Sequence, residues 1–250
     1  MSVVPVRTSA AIIERMVIVD ALGGLANPNL DDGGDPVNAV DARALDDAFA
    51  SGLTAIHQTI GYVSGDDDPY LRSLADIEAW DALLHRHGDR LHKVAVADDI
   101  ARARQSGRIG VIYGFQNGTM LADDPARAVE FARLGVRVVQ LTYNGENELG
   151  DGAMAAGNGG LTDCGREVVE ALNRARVMVD LSHSGERTCR DTIEASTAPV
   201  IISHTGCRAL ADLPRNKTDA ELRAVAERGG LVGIYFMPFL ALDRQPTADD

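Results

Sequence analysis

Apolar residues in this chain collect in short runs, and between the runs they recur at every third or fourth position. The runs are residues 16–22 (MVIVDAL), 53–60 (LTAIHQTI), 107–115 (GRIGVIYGF), 136–143 (VRVVQLTY), 177–183 (VMVDLSH), 199–205 (PVIISHT) and 231–236 (LVGIYF). Short, β-branched and bounded by turn residues, each predicts a buried strand. The intervening periodicity predicts helices over 39–51, 71–87, 97–105, 125–134, 163–175, 186–195 and 218–228. The strongest is 71–87, with Leu74, Ile77, Trp80, Leu83 and Leu84 on one stripe. Gly52, Gly135 and Gly229-Gly230 read as helix stops, and Thr162 or Asp163 as a cap. Strand and helix thus alternate seven times, which means a parallel sheet with right-handed crossovers. The reading is an α/β fold, a (β/α)8 TIM-type barrel. Its eighth strand is not seen in the given sequence. A single domain over 1–250 is expected, cut short at the C-terminus, where PTADD, with Thr247 as cap, starts another helix.

Composition narrows the function without naming it. Apolar residues make up 45% of the 250 and aromatics only 4%, which suits buried parallel strands under Ala-rich helices. The net charge of −13 argues against a nucleic-acid partner, because phosphate binding needs clustered Lys and Arg. Cys164, Cys189 and Cys207 are odd in number and fit neither a zinc ribbon nor a disulfide framework. A reducing, cytoplasmic location is the expectation, with no signal peptide in MSVVPVRTSAAIIERM and no apolar run of membrane-span length.

The candidate chemistry lies after the strands, because the C-terminal strand ends carry the site in parallel sheets. Two consecutive runs both end in Ser-His, so His183 and His204 are expected side by side at that edge. Imidazoles there bind a borderline metal or carry protons. The plainer reading is a histidine hydrogen-bonded at a strand end. The same edge receives Gln116, Tyr143 and Asn144. Beyond it, Arg215 is either an anion binder or half of a surface salt bridge. His57 reads as a core histidine. His85, His87 and His92, in HRHGDRLH, read as a solvated, charged helix end, and the runs at 31–32 and 66–68 as solvated loops.

Several longer stretches carry a resemblance. LGVRVVQLTYN, GLTDCGREVVEALNRARVMVDLSHSGERT, APVIISHTGCRAL and LPRNKTDAELRAVAERGGLVGI run almost without a break from Leu134 to Ile234. In order and spacing they resemble the renal (membrane) dipeptidase family of metallopeptidases. VIVDALGG and IGVIYGFQNG stand where that family keeps its upstream metal motifs. The resemblance implies a zinc-dependent barrel that hydrolyses dipeptides, commonly as a homodimer. It makes His183 and His204 metal ligands and Arg215 the binder of the substrate carboxylate. The family's first-strand His-x-Asp is Leu22 and Gly24 here, its bridging Glu is Gln116, and its substrate-contacting His is Tyr143. The position of its final Asp lies beyond Asp250.

Leu and Gly cannot ligate, and neutral Gln116 cannot offset two dications, so a two-metal clamp is not expected. One zinc is. His183 and His204 would hold it, Gln116 would supply an amide oxygen, and Asp180 or an acid outside the given sequence would complete its shell. Tyr143 and Gln116 are then the catalytic candidates, with Tyr143 donating to an oxyanion. Arg215, Asn144 and Tyr143 are the substrate-binding candidates. Two other readings stay open: an inactive relative that binds a small molecule, and a metal-free reaction with Tyr143 and His183 as acid and base.

Overall fold

The structure, a computed structural model, describes residues 16–31, 33, 36–237, 240, 241, 244 and 247. The N-terminal stretch read for a leader, Asp32, and the turn expected after Thr247 lie outside the described residues. Eight strands are present among the described residues: β1 (Val19–Gly23), β2 (Ala55–Thr59), β3 (Leu91–Lys93), β4 (Ile109–Phe115), β5 (Val136–Gln140), β6 (Met178–Asp180), β7 (Ile201–Thr205) and β8 (Leu231–Ile234). The α-helices are α1 (Ala42–Ala50), α2 (Pro69–Arg86), α3 (Asp98–Gln105), α4 (Arg127–Arg133), α5 (Asp163–Ala175), α6 (Glu186–Ala195) and α7 (Asp219–Glu227). The hydrogen-bonded path runs β1-β2-β4-β5-β6-β7-β8, and β3 is a spur paired to β4. Every pairing that has a register is parallel. This is the topology of the (β/α)8 TIM-type class, and the seven path strands are the seven read from the sequence.

The chain divides into two compact units, Met1–Gln58 with Ala79–Ile112, and Thr59–Glu78 with Tyr113–Asp250. In the first, Leu45, Ala55, Leu83, Leu91, Ala103, Ile109 and Val111 are buried. Gly110 is required there: a Cβ would press on Val94 and Ala55. HRHGDRLH holds a helix end, with His85 exposed in the last turn, but β3 corrects the reading of His92 as part of it. α2 stops at Arg86, and His92 sits in β3 with Nε2 buried, 3.6 Å from Asp99. A three-residue strand has no period to detect, and its charged flanks hid it. His57 is buried in β2, its Nδ1 2.6 Å from the Ala21 carbonyl.

Asp99 makes this unit sensitive to acid. Its carboxylate accepts from the Ala95 and Val96 backbone N–H groups (2.9 and 3.0 Å) and from Arg102 (2.5 Å). Burial alone would raise its pKa, but these donors outweigh burial and hold it at about 2. A depressed carboxylate pKa contributes stability that is complete above the unfolded value near 3.8 and is lost as pH falls toward 2. Discounted for the exposed Arg102, that is about 1 kcal/mol. Asp99→Asn should therefore lower stability by about this much at pH 7 and by almost nothing at pH 2. Urea titrations at the two pH values check it, and a pH-independent difference would refute it.

In the second unit the central strands are deeply buried and the last strand is not. β4 and β5 bury nearly every position, whereas Leu231 and Ile234 of β8, paired on one side only, stay exposed. Phe131 on α4 meets Phe115 edge-on at 4.9 Å. α5 is capped by Thr162, whose hydroxyl accepts from the Gly165 N–H. α7 opens with a reciprocal capping box between Thr218 and Glu221.

Candidate functional site

β6 and β7 place the two histidines by register. Asp180 pairs with Ile201, so His183 and His204, each three residues further on, come out together at the C-terminal strand ends. Their Nε2 atoms lie 2.8 Å apart. Tyr143, just past β5, stacks on His183 with centroids 4.5 Å apart and planes 24° from parallel. Burial, reinforced by the charges of Arg215, His204 and Lys217, pushes the His183 pKa down to about 2. His183 is therefore a neutral lone-pair donor at ordinary pH.

Beneath the pair lies a polar network. The Asp180 carboxylate accepts from Ser182 N–H (3.0 Å), Ser182 Oγ (2.6 Å), Ser203 N–H (3.1 Å) and Ser203 Oγ (2.5 Å). Asp180 is thus fully engaged with serines, which corrects its reading as a metal ligand. Since the Ser203 hydrogen points to Asp180, His204 Nδ1 must donate to Ser203 Oγ, 2.8 Å away. His183 Nδ1 likewise donates to Asn144 Oδ1 at 2.7 Å. The His183 lone pair then sits on Nε2 and faces His204 Nε2. Two lone pairs at hydrogen-bond distance repel unless a proton or a cation is shared between them.

A metal is therefore tested against the donors present. Two zinc–nitrogen bonds at a tetrahedral angle need nitrogens about 3.3 Å apart, roughly half an ångström more than here, which a small ring movement supplies. The Nδ1 contacts to Asn144 and Ser203 are the outer-shell hydrogen bonds that orient metal-binding imidazoles. A third acidic, thiol or imidazole ligand is missing: among the described residues no group of three His, Cys, Asp or Glu is arranged to hold an ion. Gln116 donates through its side-chain Nε2 to Thr59 Oγ1 (2.6 Å), and its backbone carbonyl accepts from Gln140 Nε2 (2.6 Å). The donor set offers one ion two imidazoles, short of the three protein ligands that a catalytic zinc takes, and does not fit a bridged pair. Leu22 and Gly24 belong to the other unit, at the end of β1, and offer no donor side chain.

Arg215 is buried rather than on the surface, at 8% exposure, which removes the salt-bridge alternative read from sequence. Its Nη1 donates to the Ser182 carbonyl. Among the described residues it makes no salt bridge with a carboxylate. Burial lowers its pKa, against the raising fields of Tyr235 and Asp180. Sequence reasoning missed Ser182, Ser203 and Lys217. The two serines had a signal, since each precedes a histidine in the repeated Ser-His. Lys217 had one too: it stands four residues before Glu221, so that the two can pair across the start of α7.

Known proteins resemble this chain over most of its length. The family profile described as membrane dipeptidase (peptidase family M19) matches residues 11–250. Dipeptidase verJ of Clonostachys rogersoniana is 32% identical over 177 residues, 70% of this chain and 44% of that protein. The chain thus spans less than half the length of that curated relative. A crystal structure of an amidohydrolase from Pseudomonas aeruginosa is 34% identical, with TM-score 0.79, covering 90% of this chain and 64% of that one. The probable dipeptidase PvdM of the same organism shares the fold at TM-score 0.84 and 22% identity, over 97% of this chain and 66% of its own. No helix among the described residues is long and apolar enough to cross a membrane.

Proposed function

The chain belongs to the membrane dipeptidase family, peptidase family M19, and on that premise we propose that it serves the hydrolysis of a dipeptide or a related amide, with one zinc ion in place of two. The observation that carries this reading is Arg215. A guanidinium this buried without a carboxylate partner among the described residues is costly, and an anionic ligand removes the cost. A dipeptide carboxylate fits its planar fork in a bidentate way.

The roles follow from the contacts. His183 and His204 would hold the ion. When bound, it would polarise the scissile carbonyl and make a water molecule acidic enough to attack near neutral pH. Arg215 holds the carboxylate end and so sets the distance to the histidines. Asn144 fixes the His183 ring through Nδ1 and borders the substrate. Tyr143, flat against His183, donates its hydroxyl to the developing oxyanion. Gln116, tied to Thr59, orients without neutralising. We read the two units as parts of one barrel domain over 1–250. The rival reading, an inactive binding module, is favoured by the missing third ligand.

The test compares free dipeptides with the same dipeptides blocked as C-terminal amides, zinc being supplied. Turnover of the free acids with kcat/KM about 10²-fold above the amides, worth nearly 3 kcal/mol, is expected. Binding without turnover would establish the inactive module. Equal rates on acids and amides would remove Arg215 from the reading.

A further inference from the structure

Arg215 stands on the loop that joins β7 to α7, and Tyr235 fastens that loop to the end of β8. Tyr235, one residue past β8, is buried, and its hydroxyl donates to Asn216 Oδ1 at 2.7 Å. Asn216 is buried too, and its Nδ2 donates to the Ala211 carbonyl at 2.8 Å, which leaves Oδ1 as the acceptor for Tyr235. A Cβ on Gly206 would come within 2.5 Å of that oxygen, so the amide is wedged against the backbone just past β7. Thr205 ties the same pieces together again. Its hydroxyl donates to the Arg215 carbonyl at 3.2 Å, and its own carbonyl accepts from the Tyr235 N–H at 3.1 Å. The Tyr235 ring stands beside the histidine pair, its centroid 6.3 Å from that of His204. Burial raises the Tyr235 pKa and the charge of Arg215 opposes the rise, so the hydroxyl stays a donor within the field of the guanidinium.

A phenylalanine ring would fill nearly the same volume. What the hydroxyl adds is a bond to Asn216, the chain neighbour of Arg215. A buried amide oxygen that loses its donor must turn to find another, and the adjoining backbone turns with it. We propose that Tyr235 is a positioning residue for Arg215, acting through Asn216 so that the guanidinium fork faces the substrate carboxylate. The proposal rests on the reading of Arg215 as the carboxylate binder and needs no metal. Bidentate recognition is sensitive to such a tilt, because both N–H bonds must align with one carboxylate at once.

The test is run with metal removed by a chelator. Calorimetry titrates L-alanyl-L-alanine and its C-terminal amide into wild type, Tyr235→Phe, Asn216→Ala and the double variant. The Arg215 Nε–H resonance is recorded in each protein without ligand. Tyr235→Phe should bind the free acid about tenfold more weakly and the amide within about twofold of wild type, with the Arg215 resonance moved. The double variant should lose no more than Asn216→Ala alone, because the two side chains act in series. A hydroxyl that merely supports the fold would weaken acid and amide alike, and that result overturns the proposal. Acid binding within about twofold of wild type overturns it as well. So do additive losses in the double variant, since Tyr235 would then meet the carboxylate itself. If wild type binds acid and amide equally, the reading of Arg215 fails, and its resonance alone decides the role of Tyr235. A resonance moved in Tyr235→Phe upholds the positioning of the guanidinium, and an unmoved one refutes it. Should one single variant not fold, the other carries the same comparison.

Discussion

Replacing His204 by alanine should abolish zinc-dependent hydrolysis and cost about 10³-fold in kcat/KM, the several kcal/mol that a catalytic ion contributes. The loss follows from the donor count. The described residues offer two imidazoles and no third acidic, thiol or imidazole ligand. Removing one leaves a single nitrogen, which holds zinc poorly at any ordinary concentration. His183→Ala should behave the same way, and the double variant no worse than either alone, because the two act as one site. Elemental analysis should show about one zinc per wild-type chain and none in the variants. Stoichiometric zinc in His204→Ala, or hydrolysis that persists after exhaustive chelation, would sink the one-ion reading and point to Tyr143 and His183 as acid and base.

Asp180→Ala should destabilise the second unit by about 3–4 kcal/mol. The carboxylate accepts from two backbone N–H groups and two hydroxyls, and Asp180 is 1% exposed. The hydroxyls of Ser182 and Ser203, 3.0 Å apart, can bond each other once the acid is gone. The two backbone donors have no such recourse, and each buried orphan costs about 1–3 kcal/mol. In a protein of this size the melting temperature should fall by roughly 10 °C. Asp180→Asn, which keeps one acceptor, should lose about half as much. Thermal and guanidinium unfolding measure both. A loss below about 1 kcal/mol would show that the serines do not depend on the carboxylate. A metal-ligand role for Asp180 would instead lower zinc content with little change in stability, so the two readings separate.

Most of the topology was legible because burial leaves a periodic trace. Val136, Val138 and Val139 in β5 and Ile201 and Ile202 in β7 are buried, since neighbouring strands flank both. α6 spans Glu186–Ala195, the range its pattern predicts, because its buried positions, Thr188, Cys189, Thr192 and Ile193, recur at helical spacing. β3 left no trace, as three residues cannot show a period. The histidine pair was legible from the repeated Ser-His at successive strand ends. The fate of its neighbours was not. Nothing in VDLSH tells whether Asp180 reaches toward an ion or turns back to the serines. Nothing in PRNK tells that Arg215 and Lys217 point inward.

The sequence by itself determined the order of strands and helices, the edge at which the chemistry gathers, and the loss of the His-x-Asp and Glu donors. These depend on local pattern and residue identity, which the chain carries in one dimension. Tertiary structure alone decided that the two Nε2 atoms meet at 2.8 Å, that Asp180 is spent on serines, and that Lys217 grips the Ser184 carbonyl. Apart from the Ser182 contact, these join residues more than twenty positions apart. Their direction is set by the register of β6 against β7 and by where each buried polar group finds its partner.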